Sequence, residues 1–218
     1  MTIRAWTLFL VCSFFAPSSI AQTTGSISGT VVGEGSENFD QMRICRSVTN
    51  GNYTGISCYT TGDAGGHFEL TGLKFGTYEI FAINEDEGYS IENQRPGEEV
   101  TLSSMNPAQN VDIRLRARGA ILTGSARDKV TGKVVKDAWI NYTMIDDGSS
   151  GGSRRISDDG RFSIAVPSET RLLVIVTARG YKGWVYNDAS QPLVKLVSGE
   201  RRVVDVELES LPKNSGPH

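Results

Sequence analysis

The sequence predicts an all-β protein: two tandem seven-stranded antiparallel β-sandwiches behind a signal peptide. Three observations predict it. Residues 25–115 and 119–208 repeat one pattern in one order. Gly66-His67-Phe68 returns as Gly160-Arg161-Phe162, and Gly88-Tyr89 as Gly180-Tyr181. Val111-Asp112-Ile113-Arg114-Leu115 returns as Val204-Asp205-Val206-Glu207-Leu208. A unit of about 90 residues is a whole domain with a modest core, not a solenoid repeat. Sustained helical periodicity is absent. Short β-rich runs alternate with Gly, Asn, Asp and Ser instead, the mark of a sandwich.

The strands follow in order. In the first copy the runs are Ser26–Val32, Gln41–Ser47, Ile56–Thr61, Phe68–Leu70, Thr77–Ile83, Val100–Leu102 and Ala108–Leu115. In the second they are Ala120–Arg127, Ala138–Met144, Arg154–Ser157, Phe162–Val166, Arg171–Ala178, Leu193–Leu196 and Glu200–Leu208. Alternation places Ala138, Ile140 and Tyr142 on one face and Trp139 and Asn141 on the other. It turns Val204, Val206 and Leu208 inward and Asp205 and Glu207 to water. Leu172–Val176 is apolar without alternation, so it reads as a central strand covered on both sides, with the other domain as the second cover. Gly62–Gly66 and Ser157–Gly160 read as turns, because Asp bonds its own backbone and Gly tolerates positive φ.

The ends and the cysteines set the compartment. Arg4, the short apolar stretch Ala5–Ala16 and the small residues Ser19 and Ala21 form a secretory signal over residues 1–21. The apolar run falls short of the ~20 residues that span a bilayer, and no later segment reaches that length. The expected site of action is the periplasm or the exterior. Cys45 and Cys58 then face an oxidising environment across a Gly/Asn-rich stretch, which predicts a cross-strand disulfide over a hairpin. A reactive dithiol would need closer spacing. The first sandwich is expected over residues 22–118 and the second over 119–210. The linker Arg116–Gly119 is short enough for a semi-rigid rod. The tail from Glu209 onward, 211–218 above all, has the composition of a disordered segment.

Charge excludes one class of partner. Residues 22–118 carry 7 basic and 13 acidic side chains, and residues 119–218 carry 14 and 12. Neither half is basic enough for a nucleic-acid face. The opposite signs would suit docking of one half on the other, or nothing more than solvated surface.

The second copy contains Gly124 in its opening strand and Val134-Val135-Lys136-Asp137-Ala138 before the next strand. It continues with Ser157-Asp158-Asp159-Gly160-Arg161-Phe162 and Ala178-Arg179-Gly180-Tyr181. In the first copy Gly29, Asp63, Gly66, Phe68, Gly88-Tyr89 and Leu73-Lys74-Phe75-Gly76-Thr77-Tyr78 match. Each copy thus resembles the carboxypeptidase regulatory-like domain, a transthyretin-like (prealbumin-like) sandwich grouped with the carbohydrate-binding-like folds. The resemblance implies an accessory module without peptidase chemistry, of the kind that accompanies peptidases, outer-membrane receptors and surface proteins. The first copy departs from the pattern twice: it inserts the cysteine hairpin, and it carries the acidic loop Asn84–Tyr89 in place of Ala-x-Gly-Tyr.

No catalytic, cofactor or metal residues are predicted. His67 and His218 are the only histidines of the mature chain, too few for a zinc site of about three ligands. A serine triad would have to use His67, which the repeat places in a turn, and no Gly-x-Ser-x-Gly elbow is present. Asp146, Asp147, Asp158 and Asp159 lack the regular spacing of a calcium loop. Glu85–Glu87 and Glu98–Glu99 read as solvated charge rather than a glycosidase pair. The sequons at Asn52 and Asn141 are assigned no role. Aromatic residues carry the remaining signal. Trp139, Tyr181, Trp184 and Tyr186 are candidate ligand-binding residues, either stacking on sugar rings or covering the sandwich end. The expected function is an exported, non-catalytic binding or structural module of the cell envelope, with an envelope protein or a polysaccharide as partner. Carbohydrate binding through exposed Trp and Tyr is the alternative.

Overall fold

The structure, a computed structural model, describes residues 24–33, 35, 39–48, 55–60, 63–146, 151–186 and 192–212. Residues 1–23, which include the stretch read as a signal sequence, Asn52-Tyr53-Thr54, Asp147 and residues 213–218 lie outside them. The first half contains β1 (Thr24–Val32), β2 (Arg43–Val48), β3 (Ile56–Thr60), β4 (His67–Lys74), β5 (Gly76–Ile83), the helical turn α1 (Ile91–Gln94), β6 (Glu98–Leu102) and β7 (Ala108–Arg114). The second contains β8 (Ala120–Asp128), β9 (Trp139–Met144), β10 (Gly151–Arg155), β11 (Arg161–Val166), β12 (Arg171–Thr177), β13 (Trp184–Val185), β14 (Val194–Lys195) and β15 (Arg201–Leu208).

Each half builds two facing sheets in the same way. The first has β4-β1-β7 against β3-β2-β5-β6; the second has β11-β8-β15 against β10-β9-β12, with β13 and β14 both paired to β12. Inward positions alternate with outward ones, as in β1, where Ile27 and Val31 are buried. Two separate apolar interiors result. One draws on Ile27, Ile44, Phe68, Ile80 and Ile113, the other on Leu122, Ile140, Phe162, Leu172 and Val206. Each fully buried side chain of this size contributes about 1.5–3 kcal/mol of burial free energy.

Three features differ from the sequence reading. The sandwiches are not purely antiparallel, because β1 pairs β7 and β8 pairs β15 in parallel. The first and last strands of each copy thus close one sheet side by side. Close approach there explains the glycine shared by both opening strands. A Cβ on Gly29 would stand 1.7 Å from the Val111 carbonyl oxygen, and one on Gly124 would stand 1.8 Å from that of Val204. The second copy also has an eighth strand, β13, drawn from the aromatic segment. Finally, Leu172–Val176 does alternate: Leu172, Val174 and Val176 are buried, while Leu173 and Ile175 are only half-buried on the outer face. Ile175 lies beside Val185 in the register, and apolar neighbours on the outer face gave the run its unbroken look.

Outer faces distinguish the halves. In the first, Cys45 and Cys58 are cross-strand partners joined by a disulfide of S–S 2.06 Å. Cys45, Phe81 and Ile83 point away from the main core yet are buried, with Ile91 of α1 packed against them. The strap Asn84–Gly97 therefore covers this sheet. Among the described residues of the second half no such strap is present, and Trp139 is 44% exposed on the corresponding face.

Candidate functional site

The β-turns hold the acidic residues as backbone ligands. Gly66 N–H donates to the Asp63 carbonyl, and Gly160 N–H to that of Ser157, with φ of +78° and +84° at the two glycines. Asp159 Oδ1 accepts from the Arg161 amide at 3.0 Å, and Asp63 Oδ1 from the His67 amide at 3.0 Å. The His67 backbone N–H, more than its ring, holds the Asp63 carboxyl below its ordinary range. His67 Nδ1 lies 3.0 Å from Asp63 Oδ2 beside a cleft of about 580 Å³ that includes Ser28, Thr30 and Glu69. No hydroxyl among the described residues hydrogen-bonds the ring. No group of three or more His, Cys, Asp or Glu side chains among the described residues is placed to hold a metal. No helix among them is long and apolar enough to cross a membrane.

The aromatic candidates separate. Tyr181, Trp184 and Tyr186 are half-buried against the second core, and the Trp184 and Tyr186 rings meet edge to face at 6.0 Å. Tyr186 Oη accepts from Arg202 Nη1 at 3.3 Å. Burial, then the Asp128 carboxylate, raises the Tyr181 hydroxyl above its ordinary pKa. Trp184 also lines a cleft of about 310 Å³ with Lys129, Lys182, Glu207 and Glu209. Trp139 stands apart on the open sheet face. The register puts it opposite Thr177 and Arg155, next to Asn141. Glu209 and Leu211 are tied to the second sandwich: Lys182 Nζ reaches Glu209 Oε1 at 3.0 Å and Leu211 N–H donates to the Gly180 carbonyl at 2.8 Å.

No family model matches the sequence, and no curated protein matches it. Solved structures similar to the chain include the shaft pilin SpaA from Lactobacillus rhamnosus GG, at 11% identity and a TM-score of 0.36, with 87% of this chain and 99% of that one covered. The minor pilin GBS52 of Streptococcus agalactiae is similar at 11% identity and a TM-score of 0.33, covering 89% and 100%. The Bacillus anthracis TIE protein is similar at 16% identity and a TM-score of 0.34, covering 87% of this chain. The chain spans 34% of that protein's length. Likeness at this level leaves function to the residues themselves.

Those residues converge on the junction between the sandwiches, which the sequence reading expected to be short and semi-rigid. Gly119 N–H donates to the Gly88 carbonyl at 2.9 Å, and the Gly119 carbonyl accepts from Gly199 at 3.1 Å. Arg118 Nε donates to the Glu87 carbonyl at 2.5 Å, and Arg201 Nη2 to that of Asp86 at 2.6 Å. Arg154 ion-pairs with Glu85 across the junction and gives Nη1 to the Ser163 carbonyl at 2.6 Å. Ser168 and Ser198 donate to the Arg118 carbonyl at 3.0 and 2.8 Å. Gly119 has no room for a side chain: a Cβ would stand 2.3 Å from Asn93 Nδ2 and 2.4 Å from the Val166 carbonyl oxygen. Within Glu85–Glu87, read as solvated charge, the Glu85 carboxylate and the backbone carbonyls of Asp86 and Glu87 are therefore docking groups. Two signals pointed to them, the opposite charge balance of the halves and the departure of this loop from the repeat.

Proposed function

We propose that the chain is an exported, non-catalytic accessory module of the cell envelope. In this reading residues 22–118 and 119–210 are two carboxypeptidase regulatory-like sandwiches held as one unit, and the second presents its open face to an envelope partner. The observation that carries it is the junction: the strap of the first sandwich bonds both the linker and the second sandwich. A module that only tethered two domains would need none of this. Residual dipolar couplings on the mature chain test the unit. A single alignment tensor is expected to fit both sandwiches, and Arg154→Ala to split it into two. Two independent tensors in the parent chain would refute the reading.

A second reading, carbohydrate binding, is favoured by one observation: Trp139 is exposed on the outer sheet face, two residues from Asn141 on the same strand. Aromatic faces stack on sugar rings, and amides bridge vicinal hydroxyls. Tryptophan fluorescence titrated with envelope polysaccharides tests it. A saturable change lost in Trp139→Ala supports sugar binding there, one lost in Trp184→Ala places it in the neighbouring cleft, and a flat titration removes it.

A further inference from the structure

The edge of a sheet exposes unpaired backbone groups, and proteins blunt it with charge, proline or a covering segment. Among the described residues, every edge strand longer than two residues carries charge, with one exception. β6 opens with Glu98 and Glu99, β10 ends in Arg154 and Arg155, and β15 begins with Arg201 and Arg202. β4, β7 and β11 are charged as well. The exception is β3, Ile56-Ser57-Cys58-Tyr59-Thr60, at the free edge of β3-β2-β5-β6. β10 holds the equivalent edge of the second sandwich, so one copy of the repeat has the protective charge and the other lacks it.

The register decides which groups β3 offers. Cys45 and Cys58 stand directly opposite each other, with Cα atoms 4.0 Å apart. In an antiparallel pair so short a spacing marks the non-hydrogen-bonded position, at about 4.5 Å rather than about 5.5 Å. The N–H and C=O of Cys58 therefore point away from β2, and by alternation so do those of Ile56 and Thr60. Ser57 and Tyr59 turn theirs to Arg46 and Ile44. No described backbone group bonds the outward N–H or C=O of Ile56 or Cys58. Two large apolar side chains stand out on the same short strand, Ile56 at 39% exposure and Tyr59 at 44%. Arg46 holds the Tyr59 ring, donating from Nε and Nη2 to its hydroxyl at 3.4 and 3.3 Å. This edge is its own complement. Set antiparallel to a second β3 about a two-fold axis at Cys58, Ile56 meets the second copy's Thr60 and Cys58 meets the second copy's Cys58. Each such pair exchanges two N–H···O bonds, so all the outward groups are satisfied together. Ser57 then faces the second copy's Tyr59, and no charged residue of β3 meets a like charge across the seam.

We propose that β3 pairs with β3 of a second copy of this chain, joining two four-stranded sheets into one across a two-fold axis. A seam of 5 residues a side is smaller than the interface of about 1,000 Å² that stable complexes exceed, so the dimer forms with rising concentration. The inference goes beyond the envelope reading and does not rest on it. Sedimentation equilibrium of the mature chain from micromolar to millimolar concentration tests it, with amide hydrogen exchange read at both ends. A monomer that becomes a dimer is expected, with at least tenfold more protection at the Ile56, Cys58 and Thr60 amides and none gained in β10. Ile56→Pro removes one outward donor and none that β2 uses, a change an edge strand tolerates, and should weaken the dimer at least tenfold. Ser57→Lys with Tyr59→Lys, both at exposed positions, sets lysines opposite each other across the seam and should abolish the dimer; it carries the test if the proline variant unfolds. Mixed with Ser57→Glu/Tyr59→Glu chains, the lysine variant should pair again. A monomer at millimolar concentration overturns the proposal and leaves the edge to an extended segment of another protein. A dimer that survives the paired lysines, or one that protects β10 instead of β3, overturns it as well.

Discussion

Gly124→Ala is expected to break the parallel closure of the second sandwich. The added Cβ would sit 1.8 Å from the Val204 carbonyl oxygen and 2.7 Å from its carbon. Both atoms are backbone, so no rotamer change relieves the clash. Relief requires β8 and β15 to part by more than about 1 Å, which carries the flanking N–H···O bonds past hydrogen-bonding range. Two such bonds lost at about 1 kcal/mol each, plus about 2 kcal/mol of overpacking, give a gross cost of about 4 kcal/mol. The stiffer unfolded chain of alanine returns about 0.5–1 kcal/mol. A net loss of about 3 kcal/mol lowers the melting temperature of a domain this size by roughly 15 °C. Gly180→Ala is the internal control: its φ is +84° but nothing lies within 4 Å of the new Cβ, so the left-handed conformation alone costs about 1–2 kcal/mol. Differential scanning calorimetry of both variants decides the matter. If Gly124→Ala melts no lower than Gly180→Ala, the close-approach argument fails, for Gly29 as well.

Three further outcomes are expected. Leu172→Ala should cost about 2–5 kcal/mol in urea unfolding and Leu173→Ala about 1 kcal/mol, since only Leu172 is fully buried; equal losses would restore a strand covered on both faces. Reducing the Cys45–Cys58 bridge should cost about 3 kcal/mol by the chain-entropy estimate, seen as an earlier first-domain transition; an unchanged thermogram in reductant would contradict this. Glu79 is held below the ordinary carboxylate range chiefly by the Arg95 guanidinium, at 2.6 Å, and also by the Gly97 amide at 3.0 Å. A depressed folded pKa contributes stability above the unfolded value and loses it as pH falls through the folded one. Melting temperature should therefore drop on acidification through and below the carboxylate range, and less steeply in Glu79→Gln; parallel curves would show the pair to be silent.

Period-two patterning made the strands legible, since every predicted run overlaps an observed strand, although Arg154–Ser157 shares only its first two residues with β10. Turn chemistry was equally readable, because Asp63, Asp159, Gly66 and Gly160 act within a few residues of themselves. The parallel pairings were not. They join residues about 80 apart in sequence, such as Asn110 and Ser28, and local alternation is the same for either strand direction. The strap was also illegible, because Glu85–Glu87 takes its meaning from Arg154, Arg118 and Arg201, which only the tertiary fold brings near. Trp139 could be assigned a face from alternation alone. Tyr181, Trp184 and Tyr186 could not, because their segment has too little regular structure to alternate.

Residues 84–97 rest on the cystine-bearing sheet with one side and on the neighbouring sandwich with the other. The bridge under that segment therefore sets more than local strength. The cystine, tens of residues upstream, lies beneath the segment on which the partner half is seated. The bond and the seat of that segment share one patch of the sheet, Cys45, Phe81 and Ile83 under Ile91.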